Sequence, residues 1–418
     1  MVMQAKRASA IGALAGIISL GLTTLAGAGT VDWVQTYSDA GHTGLNSRET
    51  KLSPSNVPAL IPGWSASLKG VSVRAFVLND LRVIVRTTHP YGQSFDLYSL
   101  DAATGAQRWK TNTGREFGAT NNTIATGDNL IFSECGQVDA YGYDYSGVCA
   151  YKKSNGKRIW VFKNPCDCSP EARLVTPLTY DNHLVFFGYF NGGALGKAYV
   201  LVADAVTGHI LGAYQTGDMN SLGSAPVIHS LQTQHMYFDC GGSVCAVSTP
   251  DGALSWKTPM GAPVGALSTD GTRVYANLCN GSAGLVALDA ATGASLWSYG
   301  APECNKAPAA LNATNVYFNG ADQKVHALNA QTGSELWSSA AGAASSPSLA
   351  NGVMYVGGAP EAPAMSAYDW STGTLLWSNL PYGSSAYLPP VIVDGSLYVA
   401  NESCGAVCSY VLPAGMRK

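Results

Sequence analysis

Ten cysteines, seven histidines and a few well-separated cations are the residues of this 418-residue chain whose types suit chemistry. Cysteines hold zinc or haem when histidines stand at fixed spacing, but no Cys-x-x-Cys-His occurs and no histidine lies at zinc-ligand spacing. The ten therefore read as structural bridges, and no metal site is expected. A nucleophile elbow, a phosphate-cradling glycine loop and a His-Glu metal motif are also missing from the sequence, so no catalytic residue is assigned. His42, in Gly41-His42-Thr43-Gly44, has the right type for a general base, yet its neighbours read more naturally as a turn. A recognition surface is suggested by Tyr141, Tyr143 and Tyr145, which crowd the stretch between Cys135 and Cys149. Tyrosine gives large contact area at low ordering entropy, suiting a glycan, peptide or protein ligand, while a rigid cap of packed rings is the plainer reading. Sequons at Asn121, Asn280, Asn312 and Asn401 matter only in a host that glycosylates them.

The elements that must position these residues follow from a repeat. Ala287-Leu288-Asp289, Thr292-Gly293 and Trp297 return as Ala367-Tyr368-Asp369, Thr372-Gly373 and Trp377. Weaker copies end at Trp109, Trp160, Gly212, Trp256 and Trp337, with successive spacings of 51, 52, 44, 41, 40 and 40 residues. That period suits one four-stranded sheet per repeat. Asp or Asn bonds the backbone ahead of it, and Gly supplies the positive φ of a tight turn. Trp then spaces adjacent sheets.

Composition agrees. With 46% hydrophobic and 12% charged residues and 47 glycines, the chain reads as globular, β-rich and full of turns. A closed repeat array keeps this length in one domain. A net charge of −3 with no basic run excludes nucleic acid as a partner. Lys6 and Arg7, the apolar stretch 8–25 and Ala26-Gly27-Ala28 predict a signal peptide over 1–28 cut after Ala28, an uncut membrane anchor being the competing reading. The expectation is a secreted or periplasmic monomer with no membrane partner after cleavage, since the first cysteine, Cys135, lies too far along for a lipid anchor.

Ala-x-Asp-x-x-Thr-Gly-x-x-x-Trp resembles the tryptophan-docking repeat of the pyrroloquinoline-quinone (PQQ) propeller superfamily. The resemblance implies an all-β, eight-bladed propeller of four-stranded antiparallel blades over 57–418, preceded by a lead-in segment at 29–56. Residues 384–413 supply only three strands, so the strand at Leu60-Ile61-Pro62-Gly63-Trp64 is expected to complete blade eight and close the ring. The opening of the lead-in, from Asp32-Trp33 through Gly41-His42-Thr43-Gly44 to Leu52-Ser53-Pro54, resembles the segment before the first strand in secreted PQQ-like repeat proteins.

On that propeller frame the cysteines map to one face. The implied bridges are Cys135 with Cys149, Cys240 with Cys245, Cys404 with Cys408, Cys279 with Cys304 and Cys166 with Cys168, the last two pairings being open from sequence. The segments leading into the first strands place Arg74, Asn121, Arg173, Ser224, Lys306, Ser345 and Tyr387 around a central funnel on that face. Its three cations would focus potential towards an anionic ligand, unless each is a solvated loop residue. Quinoproteins of this superfamily oxidise alcohols or sugars with PQQ and calcium, often beside a bridge between adjacent cysteines. Here no Cys-Cys pair occurs, only Cys166-Asp167-Cys168, and no calcium-carboxylate set is recognisable. The expectation is a non-catalytic binding or scaffolding propeller without cofactor, for a protein or small-molecule ligand. A PQQ- and calcium-dependent oxidoreductase and an extracellular glycan-binding or adhesion protein remain the alternatives.

Overall fold

The computed structural model describes residues 32–417 apart from 69–71, 89–94, 115–122, 139–143, 163–172, 175, 191–196, 218–227, 250–251, 280–283, 301–306, 321, 340–341, 343, 360–361, 380–387 and 402–403. The expected leader at 1–28 lies outside these residues. The chain forms eight sheets whose blade strands run antiparallel, with Leu45–Asn46 added in parallel to the first strand of blade seven. Blade one is Ser72–Asn79, Arg82–Thr88, Phe95–Asp101 and Gln107–Gly114, and the other blades repeat the pattern. The first strands of blades two to eight are Ile124–Gly127, Thr179–Asp181, Ile228–Ser230, Val264–Thr269, Ala310–Leu311, Ser348–Ala350 and Val391–Val393. Each touches the first strands of both neighbouring blades, so the eight form a ring around the axis.

Ring closure follows the sequence expectation. Ile61–Ser67 pairs antiparallel with Ala406–Val411, from Ile61 opposite Val411 to Ser67 opposite Ala406, and forms the outer strand of blade eight. A strand from one end of the propeller thus completes the sheet begun at the other, and unfolding blade eight requires separating them.

The turn chemistry is as the motif predicts. Asp289 Oδ1 accepts hydrogen bonds from the Ala291 and Thr292 N–H groups (3.1 and 2.8 Å) and the Thr292 hydroxyl (2.8 Å). These donors hold its carboxyl below the usual range. Gly105, Gly156, Gly208, Gly252, Gly293, Gly333 and Gly373 all sit at φ between +68° and +72°. Six of them meet a second demand, because an indole from the preceding blade lies on the glycine. A Cβ at Gly293 would come within 2.5 Å of Trp256, and one at Gly333 within 2.6 Å of Trp297.

Each docked indole also donates its Nε1–H to a carbonyl of the next blade. Trp256 bonds Ala290 (3.1 Å), Trp297 bonds Ala330 (3.0 Å) and Trp337 bonds Trp370 (3.1 Å). Trp377 reaches Leu60 (3.3 Å) and Trp64 reaches Ala102 (2.8 Å), carrying the chain of contacts across the closure. A second donor lay outside the sequence reading. The hydroxyls of Tyr237, Tyr317 and Tyr398, all on second strands, share the carbonyls of Ala290, Trp370 and Ala102 with those indoles.

The lead-in is part of the fold. The first strand of each blade has one edge free towards the axis, and its inward N–H groups need partners. Residues 33–46 supply them blade by blade. The N–H groups of Leu78, Thr126, His229, Thr269, Leu311 and Leu349 bond the carbonyls of Trp33, Val34, Ala40, Gly41, Thr43 and Gly44 at 2.7 to 3.0 Å. Tyr180 N–H bonds Gln35 Oε1 (2.7 Å), and Asn46 Nδ2 donates to Ile392 O (2.6 Å). Strand register makes these eight positions equivalent, so the lead-in contacts the same place in blades one to eight in order. Winding within the ring requires positive φ at Tyr37, Ser38 and His42.

Candidate functional site

The propeller has two unlike faces. Turns from first to second strands lie on one, and the lead-in bonds the first strands near that end. The disulfides lie on the other. Cys135–Cys149 joins the second and third strands of blade two, Cys240–Cys245 those of blade four and Cys404–Cys408 those of blade eight, with Cα separations of 5.8, 5.9 and 6.1 Å. These are the expected pairs. Cys279 is also disulfide-bonded, to a partner outside the described residues. Cys166, Cys168 and Cys304 lie outside them too.

Of the funnel residues, Arg74 and Ser345 are described in full, and strand register puts them at equivalent positions in blades one and seven. Their environments differ. Ser345 is fully buried, donating to Ser346 O (3.0 Å) and accepting from Gly357 N–H (2.8 Å), so it holds backbone. Thr176 has the same role in blade three, accepting from Gly188 N–H at 2.6 Å. Arg74 sits where the register shifts between Val73 and Ala75, its Nε buried and without a partner among the described residues. Arg173 lies in the short strand Arg173–Leu174, three residues before the position equivalent to Arg74, and only its backbone is described. Asn121, Ser224, Lys306, Tyr387, Tyr141 and Tyr143 lie outside the described residues, as does the side chain of Tyr145.

Beside Arg74 is a buried ion pair that the sequence did not disclose. Arg86 on the second strand of blade one faces Glu134 on the second strand of blade two at 3.7 Å, both side chains being almost wholly buried. The guanidinium lies 4.4 Å from the centre of the Phe95 ring. Burial lowers Arg86 to about 10, opposed by Glu134 and reinforced by the like charge of Arg74, so it stays a cation at neutral pH. Arg74 thus adds a second positive charge beside the pair. The signal was available: strand register gives Arg86, Glu134, Asp239, Asn277 and Asn319 one repeat position, polar where the neighbouring second-strand residues are mostly apolar.

His42 is far from this face. It is buried in the lead-in with Nε2 at 3.1 Å from Thr179 Oγ1 and its ring 5.3 Å from Tyr37. Burial depresses it to about 3, which keeps the imidazole neutral. A cleft of about 520 Å³ between blades eight and one, lined by Trp64, Tyr398, Leu412 and Arg417, flanks the Trp64 docking contact.

A calcium-bound quinone requires a cluster of oxygen ligands. Calcium takes six to eight oxygens including carboxylates. Among the described residues of this face Glu134 is paired with Arg86, Asp239 accepts from Gly242 N–H (2.9 Å), and no three His, Cys, Asp or Glu residues stand within reach of one ion. The described residues do not fit that group. No helix among them is long and apolar enough to cross a membrane.

A family model described as outer membrane protein assembly factor BamB matches residues 62–225 and 196–412. The chain is 24% identical over 427 residues to tetrathionate hydrolase of Acidithiobacillus ferrooxidans, covering 90% of this chain and 77% of that protein. Among solved structures, quinohemoprotein alcohol dehydrogenase from Comamonas testosteroni superposes with a TM-score of 0.67 at 14% identity, covering 91% of this chain and 80% of that one. BamB from Moraxella catarrhalis gives 0.55 at 16% identity, covering 85% and 98%. At these identities the solved structures show the fold alone.

Proposed function

The chain belongs to this PQQ-like repeat family, and on that premise we propose that it is a binding propeller holding a small anionic ligand at the axial mouth of its disulfide-bearing face. The observation that carries the reading is the buried Nε of Arg74, without a partner among the described residues, at the mouth of this face beside Arg86. A guanidinium so placed offers a planar donor pair suited to carboxylate, phosphate or sulfonate oxygens. The lead-in, which crosses the opposite end of the ring, favours approach from the disulfide face. Three bridges and the expected leader support a place outside the cytoplasm.

A second reading is favoured by the near full-length likeness to tetrathionate hydrolase. Tetrathionate is a dianion, so the substrate named there has the charge that the mouth would take. Hydrolysis of a sulfur oxyanion would then be performed on the bound ligand. The dehydrogenase alternative finds no support in the described carboxylates.

Calorimetric titration with tetrathionate, thiosulfate, and PQQ with calcium, together with an assay of tetrathionate consumption, separates the readings. Saturable tetrathionate binding that weakens about tenfold in Arg74→Gln, as loss of one charge-assisted contact gives, supports the anion site. Turnover in the same sample adds the hydrolase, whereas binding of PQQ with calcium and of neither sulfur anion removes the hydrolase, and anion binding undiminished in Arg74→Gln overturns the anion site.

A further inference from the structure

The seams between blades are not alike. At six of them an indole lies over the turn glycine of the next blade, with ring atoms 2.4 to 2.7 Å from where a Cβ would be. At the seam between blades three and four, Gly212 stands at the tryptophan position, four residues after Gly208. Among the described residues, no atom lies within 4 Å of the Cβ position of Gly252, the turn glycine that this position should cover, or of Gly212.

Gly252 itself is nonetheless held as the other turn glycines are, although Ser248 stands where Asp289 supplies a carboxylate. Gly252 keeps φ +68°, and its N–H bonds Ser248 O (2.9 Å) as Gly293 N–H bonds Asp289 O (2.8 Å). That register makes Thr249 the equivalent of Ala290, whose carbonyl receives both Trp256 Nε1 and the Tyr237 hydroxyl. Blade three offers neither donor to Thr249, since Gly212 replaces the indole and Phe186 stands where blade four has Tyr237. An acceptor and an open glycine remain where the filled copies show what fits.

None of the chain's nine tryptophans is free to fill the place. Seven are docked at other seams. Trp33 is fully buried, and Trp370 packs in the core between blades six and seven. Among the described residues the outer strand of blade three, Ile210–Gly217, pairs on one side only, so its other edge has backbone groups available for an added strand.

We propose that the seam between blades three and four is a docking slot for a tryptophan side chain supplied by a partner protein, presented on an extended segment along Ile210–Gly217. The indole would lie over Gly252 and donate to the Thr249 carbonyl, as the chain's own indoles do elsewhere. A single aromatic anchor in a preformed pocket is the usual centre of such an interface. The slot is separate from the axial mouth, so either proposal stands without the other.

The test uses the whole protein labelled with ¹⁵N-glycine, titrated with millimolar N-acetyl-tryptophanamide and, as a control, N-acetyl-leucinamide. The Gly252 amide is expected to shift with the indole compound alone. In Gly212→Trp that shift should vanish and the melting temperature should rise by several degrees, because the slot is filled from within. An unmoved Gly252 signal in the wild-type protein, or a lowered melting temperature in a folded Gly212→Trp protein, would overturn the proposal. Should the variant not fold, the wild-type titration decides alone.

Discussion

His42 shows how burial converts one side chain into a pH dependence. Its folded value is about 3, against 6.5 when free. Above pH 6.5 neither state binds the proton, and His42 leaves stability unchanged. Between 6.5 and 3 the unfolded chain binds it and the folded protein does not, so stability falls as pH falls, at up to about 1.4 kcal/mol per pH unit. His42→Asn, which tolerates the positive φ of this position, should therefore reduce the slope of unfolding free energy against pH over that window by about one proton. Urea titrations at pH 7 and 4.5 measure it, and parallel slopes would mean that the imidazole is solvated. The sequence identified His42 by type and read it as a turn residue, which its backbone bears out. Its burial depends on Thr179, 137 residues away, a separation over which no local pattern informs.

The turn and its docked indole make a unit whose parts can be separated experimentally. Gly333→Ala must place a Cβ at φ +71° and within 2.6 Å of the Trp297 ring, whereas Gly252→Ala meets the backbone penalty in open space. The first should cost about 2–4 kcal/mol and the second about 1 kcal/mol. Chemical denaturation of the two variants gives the difference, and equal losses would show that the indole yields without cost. Trp297→Phe should lose about 1 kcal/mol with the Ala330 hydrogen bond, plus part of the ring's packing. This level was the most legible in the sequence, because Asp, Thr, Gly and Trp within nine residues act on one another locally and recur. The tyrosines that share the Ala290, Trp370 and Ala102 carbonyls were missed because each lies on another strand of the same blade, and its hydroxyl meets the indole only at the seam.

At the scale of the molecule, two segments from the N-terminal side hold the ring. Ile61–Ser67 closes blade eight, and residues 33–46 bond every blade from within. Deleting 32–46 should leave the propeller closed but expose the N–H groups of Leu78, Thr126, His229, Thr269, Leu311 and Leu349. Hydrogen exchange at these six should accelerate at least tenfold while amides between second and third strands keep their protection. Uniform acceleration would mean that the lead-in is needed for the whole fold. What the sequence by itself determined was the repeat and its turn chemistry, and the resemblance they carry implied the closing strand and three of the disulfides. Each of these rests on residues near one another in the chain or on a period that copies itself. Only the tertiary structure decided the path of the lead-in, the Arg86–Glu134 pair beside Arg74 and the open seam at Gly252. These depend on single, unrepeated side chains meeting across blades, and a periodic sequence specifies which blades adjoin without specifying what each pair of neighbours places in the space between them.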